Sequence, residues 1–349
     1  MRSGPVCVAL DAMGGDAGVE AVVAGAAQLS CEDKPVRVLL VGDEARIREA
    51  LRTARYDPAW LQVVPADGCV AMEEDPREAL AARPRCSIAV AADLVKTGEA
   101  EALVSAGHTG ATILAAAQRF ERLPGVRRTA LAAVYPTEQR HGPRQDPFAL
   151  MLDVGATLHA SAEDLVAFAV MGSAYARIIS DNPSPRVALL SNGSEPNKGT
   201  EAIVTANRLL RATSGVNFYG NVEGLDIPRG TVDVIVCDGF LGNVVLKMLE
   251  GVSEVVTDIA KDAAARKFLW KVGLTMLSQG LRQLRTMTDW KQYGGAPLLG
   301  LDHVVIKAHG RSNARAIRNA VKVAAKAVDG DLTGQIAANS ALTGRPAAG

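Results

Sequence analysis

Four short segments of the sequence combine glycines with polar side chains that could bind an anion or polarise a carbonyl group. Each follows an apolar run and precedes a stretch of helical composition, and the first residues of a helix offer unpaired N–H groups and a positive dipole. Glycine also lets the backbone approach a ligand closely. The segments are residues 11–16 (DAMGGD), 105–110 (SAGHTG), 191–200 (SNGSEPNKGT) and 237–243 (CDGFLGN). We expect ligand-binding groups at these four turns.

The first turn supplies Asp11, Gly14 and Gly15 as candidate substrate-binding residues. Its adjacent glycines could bring backbone N–H groups to an anion. They could equally form a tight strand-to-helix turn that Asp16 caps. The sequence alone leaves both interpretations open.

The second turn supplies Ser105, His108 and Thr109 as further substrate-binding candidates. Two hydroxyl groups, an imidazole and two glycines at the start of a helix could hold a phosphate or a carbonyl oxygen. The alternative is a Ser or Thr helix cap beside a surface histidine. Because no carboxylate stands nearby in sequence to orient His108, we expect it to donate a hydrogen bond rather than act as a general base.

The third and fourth turns supply a lysine and an asparagine. Lys198 precedes its glycine, so the GxxxxGK[ST] spacing fails and an NTPase is excluded. Its ammonium group could still hold a phosphate oxygen, or it could simply be solvated. Asn243, beside Gly239 and Gly242, could polarise a carbonyl oxygen or merely cap a helix.

Composition and missing motifs exclude several classes of protein. The 38 basic and 38 acidic side chains give zero net charge, so we expect no nucleic-acid partner. No GxSxG, HExxH or GxGxxG motif occurs, which disfavours serine hydrolases, zinc proteases and ordinary dinucleotide enzymes. The five cysteines lack CxxC spacing, so we expect neither a disulfide framework nor a zinc site. A cytoplasmic protein without an export signal is the expectation.

Short apolar runs that alternate with Ala-rich stretches predict the elements that position these turns. The runs are residues 6–10, 36–42, 102–107, 186–193 and 232–239. Continuous apolar strands are typical of a parallel sheet that helices cover on both faces. We therefore predict an α/β fold with a doubly wound, mainly parallel sheet in a three-layer α/β/α sandwich. In such sheets ligands bind at the carboxyl ends of the strands.

No linker or break in composition divides residues 1–330, so we predict one two-lobed domain there and a mobile tail at 331–349.

Within this domain, we predict a helical extension at residues 252–287. Residues 263–288 contain five basic side chains and no acidic one. Such a segment suits an anionic membrane surface or a partner groove, although an ordinary dimer or core helix would look similar. The candidate surface residues are Arg266, Lys267, Trp270 and Lys271.

Eight blocks of sequence, taken together, closely resemble one known family. They are VALDAMGGD, LVKTGEAEALVSAGHTGA, RLPGVRRTALAAVYPT, FAVMGSAYA, NFYGNVEGLDI, VDVIVCDGFLGNVVLK, YGGAPLLGLDHVVIKAHG and SNARAIRNAV, in this order. The chain is similar, over about residues 5–327, to the bacterial phosphate acyltransferases of phospholipid synthesis. Several motifs in the same order make this resemblance more specific than any single turn.

The resemblance implies transfer of a fatty acyl group from acyl carrier protein to inorganic phosphate, without a metal or nucleotide cofactor. It also implies a fold like that of isopropylmalate dehydrogenase and phosphotransacetylase, with a protruding helical segment. A homodimer in loose, peripheral contact with the membrane is expected. A membrane glycerol-3-phosphate acyltransferase is a further expected partner, since it would use the acyl phosphate.

The resemblance also implies roles for two residues, because the family's important lysine and asparagine fall in the blocks that contain Lys198 and Asn243. Lys198 would fix the phosphate, and Asn243 would stabilise the oxyanion. The sequence departs from the family pattern at His108, where the family usually has asparagine. Residues 153–157 (DVGAT) replace a DLGAN-like block, and the polar loop at 138–147 is longer than usual.

Three alternative functions remain open at the level of sequence. A phosphotransacetylase-like enzyme would act on a short acyl-CoA and would need a nucleotide pocket. A non-catalytic scaffold would use the helical extension to recruit enzymes of lipid synthesis. A decarboxylating dehydrogenase is disfavoured, because the sequence has no nicotinamide fingerprint and no clustered acids for its metal.

Overall fold

The computed structural model describes residues 4–266 and 294–343, and the elements below are those of this part of the chain. The strands are β1 (Cys7–Asp11), β2 (Arg37–Gly42), β3 (Leu61–Pro65), β4 (Ala102–Ser105), β5 (Ala130–His141), β6 (Asp146–Leu152), β7 (Arg186–Leu190), β8 (Asn217–Val222), β9 (Val234–Val236), β10 (Ala296–Leu299) and β11 (Val304–Lys307). The helices are α1 (Gly18–Ser30), α2 (Glu44–Arg52), α3 (Pro76–Ala82), α4 (Ser87–Lys96), α5 (Thr109–Arg119), α6 (Ala162–Ile179), α7 (Glu201–Ala212), α8 (Asp226–Arg229), α9 (Gly239–Arg266), α10 (Ala314–Asp329) and α11 (Leu332–Thr343).

The strands form one 11-stranded sheet in the order β3-β2-β1-β4-β11-β10-β5-β6-β9-β7-β8. Strands β3, β2, β1, β4 and β11 are parallel to their neighbours, and so are β6, β9, β7 and β8. Between these groups, β10 pairs antiparallel with β11 and β5, and β5 and β6 form an antiparallel pair. The two parallel groups therefore run in opposite directions.

Helices cover both faces of the sheet, because alternate residues of each buried strand point to opposite sides. In β1, Val8 and Leu10 belong to the apolar cluster that contains side chains of α1, α6 and α10, whereas Ala9 belongs to a second cluster with side chains of α4 and α5. The side chains of Val8, Ala9 and Leu10 are all fully buried. This arrangement confirms the predicted three-layer, mainly parallel α/β/α fold.

Helix α6 lies at the centre of one helical layer. It begins with a capping box in which Ser161 and Asp164 exchange side-chain and backbone hydrogen bonds. Most of its side chains are buried, among them Phe168 and Met171. A helix that is apolar on nearly every side must be enclosed, so α6 anchors the second half of the sheet.

The end of the chain differs from its prediction. The sequence predicts a mobile tail from residue 331, whereas residues 332–343 form α11, which packs against α6. Leu332 and Ile336, one helical turn apart, are buried in the same apolar cluster as side chains of α6. The helix was not predicted, because residues 332–343 contain few large apolar side chains and show no clear helical periodicity.

The predicted helical extension lies only partly within the described residues. Helix α9 continues from Gly239 to Arg266 and so contains the first part of the 252–287 segment. Lys267, Trp270 and Lys271 lie outside the described residues. None of the helices in the described ranges has both the length and the apolar character needed to cross a membrane.

Candidate active site

The directions of the strands place the predicted site residues at two opposite edges of the sheet. We call the carboxyl ends of β1, β4 and β11 the Asp11 edge, and the carboxyl ends of β6, β9, β7 and β8 the Asn243 edge. Because the two parallel groups run in opposite directions, these edges lie at opposite ends of the strands. The four turns that are expected to bind ligand are thus divided between two locations in the chain.

The Asp11 edge contains a buried polar cluster. Asp11, Ser105 and Lys307 are neighbours in the sheet register and end β1, β4 and β11. All three are less than one-tenth exposed. The Ser105 hydroxyl donates a hydrogen bond to Asp11 Oδ2 at 2.7 Å and accepts one from the Gly107 N–H at 3.0 Å. The cluster connects three adjacent strands.

Burial shifts the acid–base behaviour of this cluster. Desolvation raises the pKa of Asp11, although hydrogen bonds and the charge of Lys307 oppose the change. Desolvation also lowers the pKa of Lys307 to about 8, against the opposing charges of Asp11 and Asp16. Lys307 is not among the residues predicted from sequence, and the signal that could have identified it is its position at the end of the apolar run VVIK.

The glycines at the Asp11 edge bring two turns together. A Cβ atom on Gly14 would lie 2.5 Å from the Cα atom of Gly107, which leaves no room for a side chain. Gly15 has a φ of 102°, and the N–H of the next residue, Asp16, donates to the Gly310 carbonyl at 2.8 Å. These glycines therefore let the backbone of the 11–16 turn approach the backbone of residues 107 and 310.

His108 caps a helix. Its Nδ1 accepts a hydrogen bond from the Ala111 N–H at 3.2 Å, and α5 begins at the next residue, Thr109. The cap is therefore the histidine itself rather than a serine or threonine. With Nδ1 used as an acceptor, the ring hydrogen of a neutral His108 lies on Nε2, where it can be donated outward. The donor role of His108 toward a ligand stays a prediction.

At the Asn243 edge, Asn243 lies in the first turn of α9. Its side chain is exposed, stands beside Gly155 and has no hydrogen-bond partner within residues 4–266 and 294–343. Gly239 and Gly242 let this turn pack closely on the loop after β6. A Cβ atom on Gly239 would lie 2.5 Å from Asp153 Oδ2, and one on Gly242 would lie 2.9 Å from the Cys237 sulfur. The amide of Asn243 is available to a ligand.

Lys198 lies in the turn that follows β7, next to β9 in the sheet, and therefore at the same edge as Asn243. Its backbone N–H bonds to the Glu195 carbonyl at 3.0 Å, and the Asn221 side chain donates to that carbonyl at 2.9 Å. The Lys198 side chain is exposed, and no carboxylate of the described residues lies within ion-pair distance. An ordered turn thus presents an ammonium group that has no ion-pair partner in the described part of the chain.

The exposed face of α9 begins beside Asn243. Large apolar side chains recur along it at intervals of three or four residues, which places them on one side of the helix. This α9 stripe consists of Phe240, Val244, Met248, Val252, Val255, Val256 and Ile259. Each of these side chains is at least half exposed in the isolated chain. A continuous apolar surface of this length is typical of a face that contacts another molecule.

Comparison with solved structures defines the class of fold. A phosphotransacetylase from Streptococcus pyogenes superposes with a TM-score of 0.63 at 18% identity, covering 93% of this chain and 94% of that one. A phosphotransacetylase from Staphylococcus aureus gives a TM-score of 0.60 at 17% identity, covering 92% of this chain and 94% of that one. The protein therefore has a phosphotransacetylase-like fold.

Sequence comparison then shows the family. Residues 6–334 match the family model described as fatty acid synthesis protein. The phosphate acyltransferase of Nostoc punctiforme is 42% identical over 336 residues, which are 96% of this chain and 97% of that protein. That of Nitratidesulfovibrio vulgaris is 41% identical over 322 residues, which are 92% and 91% of the two chains. The chain belongs to the phosphate acyltransferase family, and the protein is an acyltransferase.

Proposed function

We propose that the protein transfers a fatty acyl group from the thioester of acyl carrier protein to inorganic phosphate, forming an acyl phosphate for phospholipid synthesis. Family membership supports acyl transfer that involves phosphate. The observation that carries the assignment is at the Asn243 edge. There the ammonium group of Lys198 and the amide of Asn243 follow neighbouring parallel strands, and neither has a partner among the residues that the structure describes.

The chemistry needs no covalent intermediate with the enzyme. A phosphate oxygen attacks the thioester carbon, a C–O bond forms, the C–S bond breaks, and the thiol of the carrier leaves. Lys198 would hold the phosphate by charge and hydrogen bond, which places the nucleophile beside the carbonyl. The Asn243 N–H would donate to the carbonyl oxygen as negative charge develops on it.

A second candidate function is phosphate-dependent transfer from a short acyl-CoA. The similarity of the fold to two phosphotransacetylases favours this alternative. Both reactions share the attack of phosphate on a thioester, and they differ in the carrier that delivers the acyl group. Turnover of acetyl-CoA in preference to palmitoyl carrier protein would support the second function and contradict the first.

The decisive assay incubates the protein with palmitoyl carrier protein and phosphate and detects acyl phosphate by mass spectrometry. We expect Lys198→Ala to lower kcat/KM by roughly 100-fold or more, the order found when a charge-stabilising donor is removed. Lys96→Ala, which removes an exposed lysine at the end of α4, is the matched control and should keep normal activity. Near-normal turnover by folded Lys198→Ala would remove this residue from the mechanism.

We also propose that the protein is a homodimer in which the α9 stripe is covered by its copy. Burying this stripe removes a row of large apolar side chains from water, which favours association.

The basic segment that begins at Arg266 supports a further proposal, namely peripheral contact with an anionic membrane or with acidic carrier protein.

A further inference from the structure

Asp153 is a fully buried carboxylate at the Asn243 edge, immediately after β6. Its Oδ1 accepts hydrogen bonds from the N–H groups of Gly155 and Ala156 at 3.0 and 2.9 Å. Its Oδ2 accepts one from the Thr157 N–H at 2.7 Å. Oδ1 accepts a further hydrogen bond from the Leu131 N–H in β5 at 2.9 Å. One side chain therefore fixes the loop after β6 and ties it to the neighbouring strand.

The same loop supports the first turn of α9. The Thr157 hydroxyl accepts a hydrogen bond from the Gly239 N–H at 3.3 Å. The Cys237 sulfur, just before α9, donates to the Asp153 carbonyl at 3.5 Å. Gly239 and Gly242 also pack against Asp153 with no space for a Cβ atom. Asn243 follows Gly242 in the chain, and its side chain stands beside Gly155. Because Gly242 packs on Asp153 and Gly155 belongs to the loop that Asp153 holds, the position of Asn243 depends on that loop.

We propose that Asp153 is a positioning residue for the acyl transfer reaction: its carboxylate holds the 155–157 loop against α9 and thereby places the Asn243 amide at the reacting carbonyl. This inference rests on the proposed function. Asp153 is enclosed by protein and does not touch substrate. It acts through Asn243, because a displacement of about 1 Å in a positioned group can cost roughly 100-fold in rate.

Asp153→Asn tests the proposal with little change in shape. An amide can keep the acceptor at Oδ1, but its NH₂ group then faces the Thr157 N–H, and two donors cannot bond to each other. The loop should shift at Thr157, whose hydroxyl contacts the Gly239 N–H. We expect kcat with palmitoyl carrier protein to fall about 10- to 100-fold with little change in KM, as is typical when an interaction made in the transition state is lost.

A matched control distinguishes positioning from loss of stability. Asp233 is also a buried aspartate that accepts several hydrogen bonds, but it precedes β9 and so lies away from the Asn243 edge. Asp233→Asn should destabilise the fold and leave kcat near the wild-type value at a temperature where both variants are folded. An equal loss of kcat in Asp233→Asn would overturn the proposal.

A double-mutant cycle then tests the connection to Asn243. If Asp153 acts through Asn243, then Asp153→Asn should have little further effect on kcat in an Asn243→Ala background. A full and independent loss in that background contradicts the inference, as does normal kcat for Asp153→Asn alone.

Crystal structures of the wild type and Asp153→Asn provide a readout that does not depend on activity. We expect residues 155–157 and Asn243 to move while the Asp11 edge keeps its geometry. An unmoved Asn243 overturns the positioning role even if acyl transfer is confirmed. If the loop moves but the wild type makes no acyl phosphate, the failure belongs to the proposed function instead.

Discussion

Two buried aspartates show how position decides the role of one residue type. Within the described residues, Asp153 accepts its hydrogen bonds from backbone N–H groups and shapes a loop, whereas Asp233 also faces the side chains of His141, Asn182 and Arg186. His141 Nδ1 lies 3.0 Å from Asp233, the Asn182 amide donates at 2.9 Å and the Arg186 N–H donates at 2.7 Å. Burial acts to raise the pKa of Asp233, but the hydrogen bonds and charges of His141 and Arg186 outweigh it and lower the pKa.

The lowered pKa of Asp233 predicts a pH-dependent contribution to stability. The ionised group stabilises the fold above the ordinary carboxyl pKa of 3.8, and this stabilisation is lost as the pH falls toward the lower pKa of the folded state. Asp233→Asn should therefore cost about 3 kcal/mol near pH 7 and less in acid. Urea unfolding of wild type and variant from pH 7 to pH 3 measures this difference. A difference that stays constant across the range contradicts the prediction.

At the residue scale, sequence most readily identifies candidate side chains that are exposed and have no partner among the described residues. Lys198 and Asn243 could be selected by type and by their place in a glycine turn, and both are exposed in the structure. Lys307 and Asp153 could not be selected in this way. Their roles depend on neighbours distant in sequence, such as Asp11 for Lys307 and Leu131 for Asp153.

At the scale of elements, the turns at the Asp11 edge depend on mutual contact of their glycines. Gly14→Ala would place a Cβ atom against the Gly107 backbone, which cannot move without disturbing the Ser105 hydrogen bond. We expect a loss of about 1–3 kcal/mol in the free energy of unfolding, as is usual when a packed site is overfilled. Gly224→Ala is the control, since no atom lies within 4 Å of its added Cβ.

Urea unfolding of the two glycine variants measures this prediction. Equal stability of Gly14→Ala and Gly224→Ala would show that the turn has spare room. It would then favour the interpretation in which Gly14 leaves space for a ligand rather than for the second turn.

The sequence predicted the strands that are buried on both faces of the sheet. It did not predict where the strand direction reverses. The five apolar runs correspond to β1, β2, β4, β7 and β9, because strands enclosed on two sides have an unmistakable composition. The reversal through β10, β5 and β6 could not be derived. It depends on pairing of residues 298–299 with 130–131, which are distant in sequence and which no local pattern encodes. Consequently the four turns could be found, but their division between two edges could not.

At the scale of the whole molecule, the α9 stripe leads to a test of the proposed dimer. Val252→Glu places a charge in the middle of the stripe, and burying an unpaired carboxylate in an apolar interface is costly. We expect light scattering to report 36.5 kDa for this variant and twice that mass for the wild type. Leu209→Glu, on the exposed face of α7, should stay dimeric. A monomeric wild type would contradict the proposal.

The location of β10 and β11 bears on how the chain is completed during translation. These strands come from residues 296–307, yet they fill the space between β4 and β5, which are synthesised much earlier. Until they emerge from the ribosome, β4 and β5 each present an open edge, and open strand edges attract other chains. The nascent protein should therefore depend on chaperones late in synthesis, and premature termination before residue 296 should yield insoluble fragments.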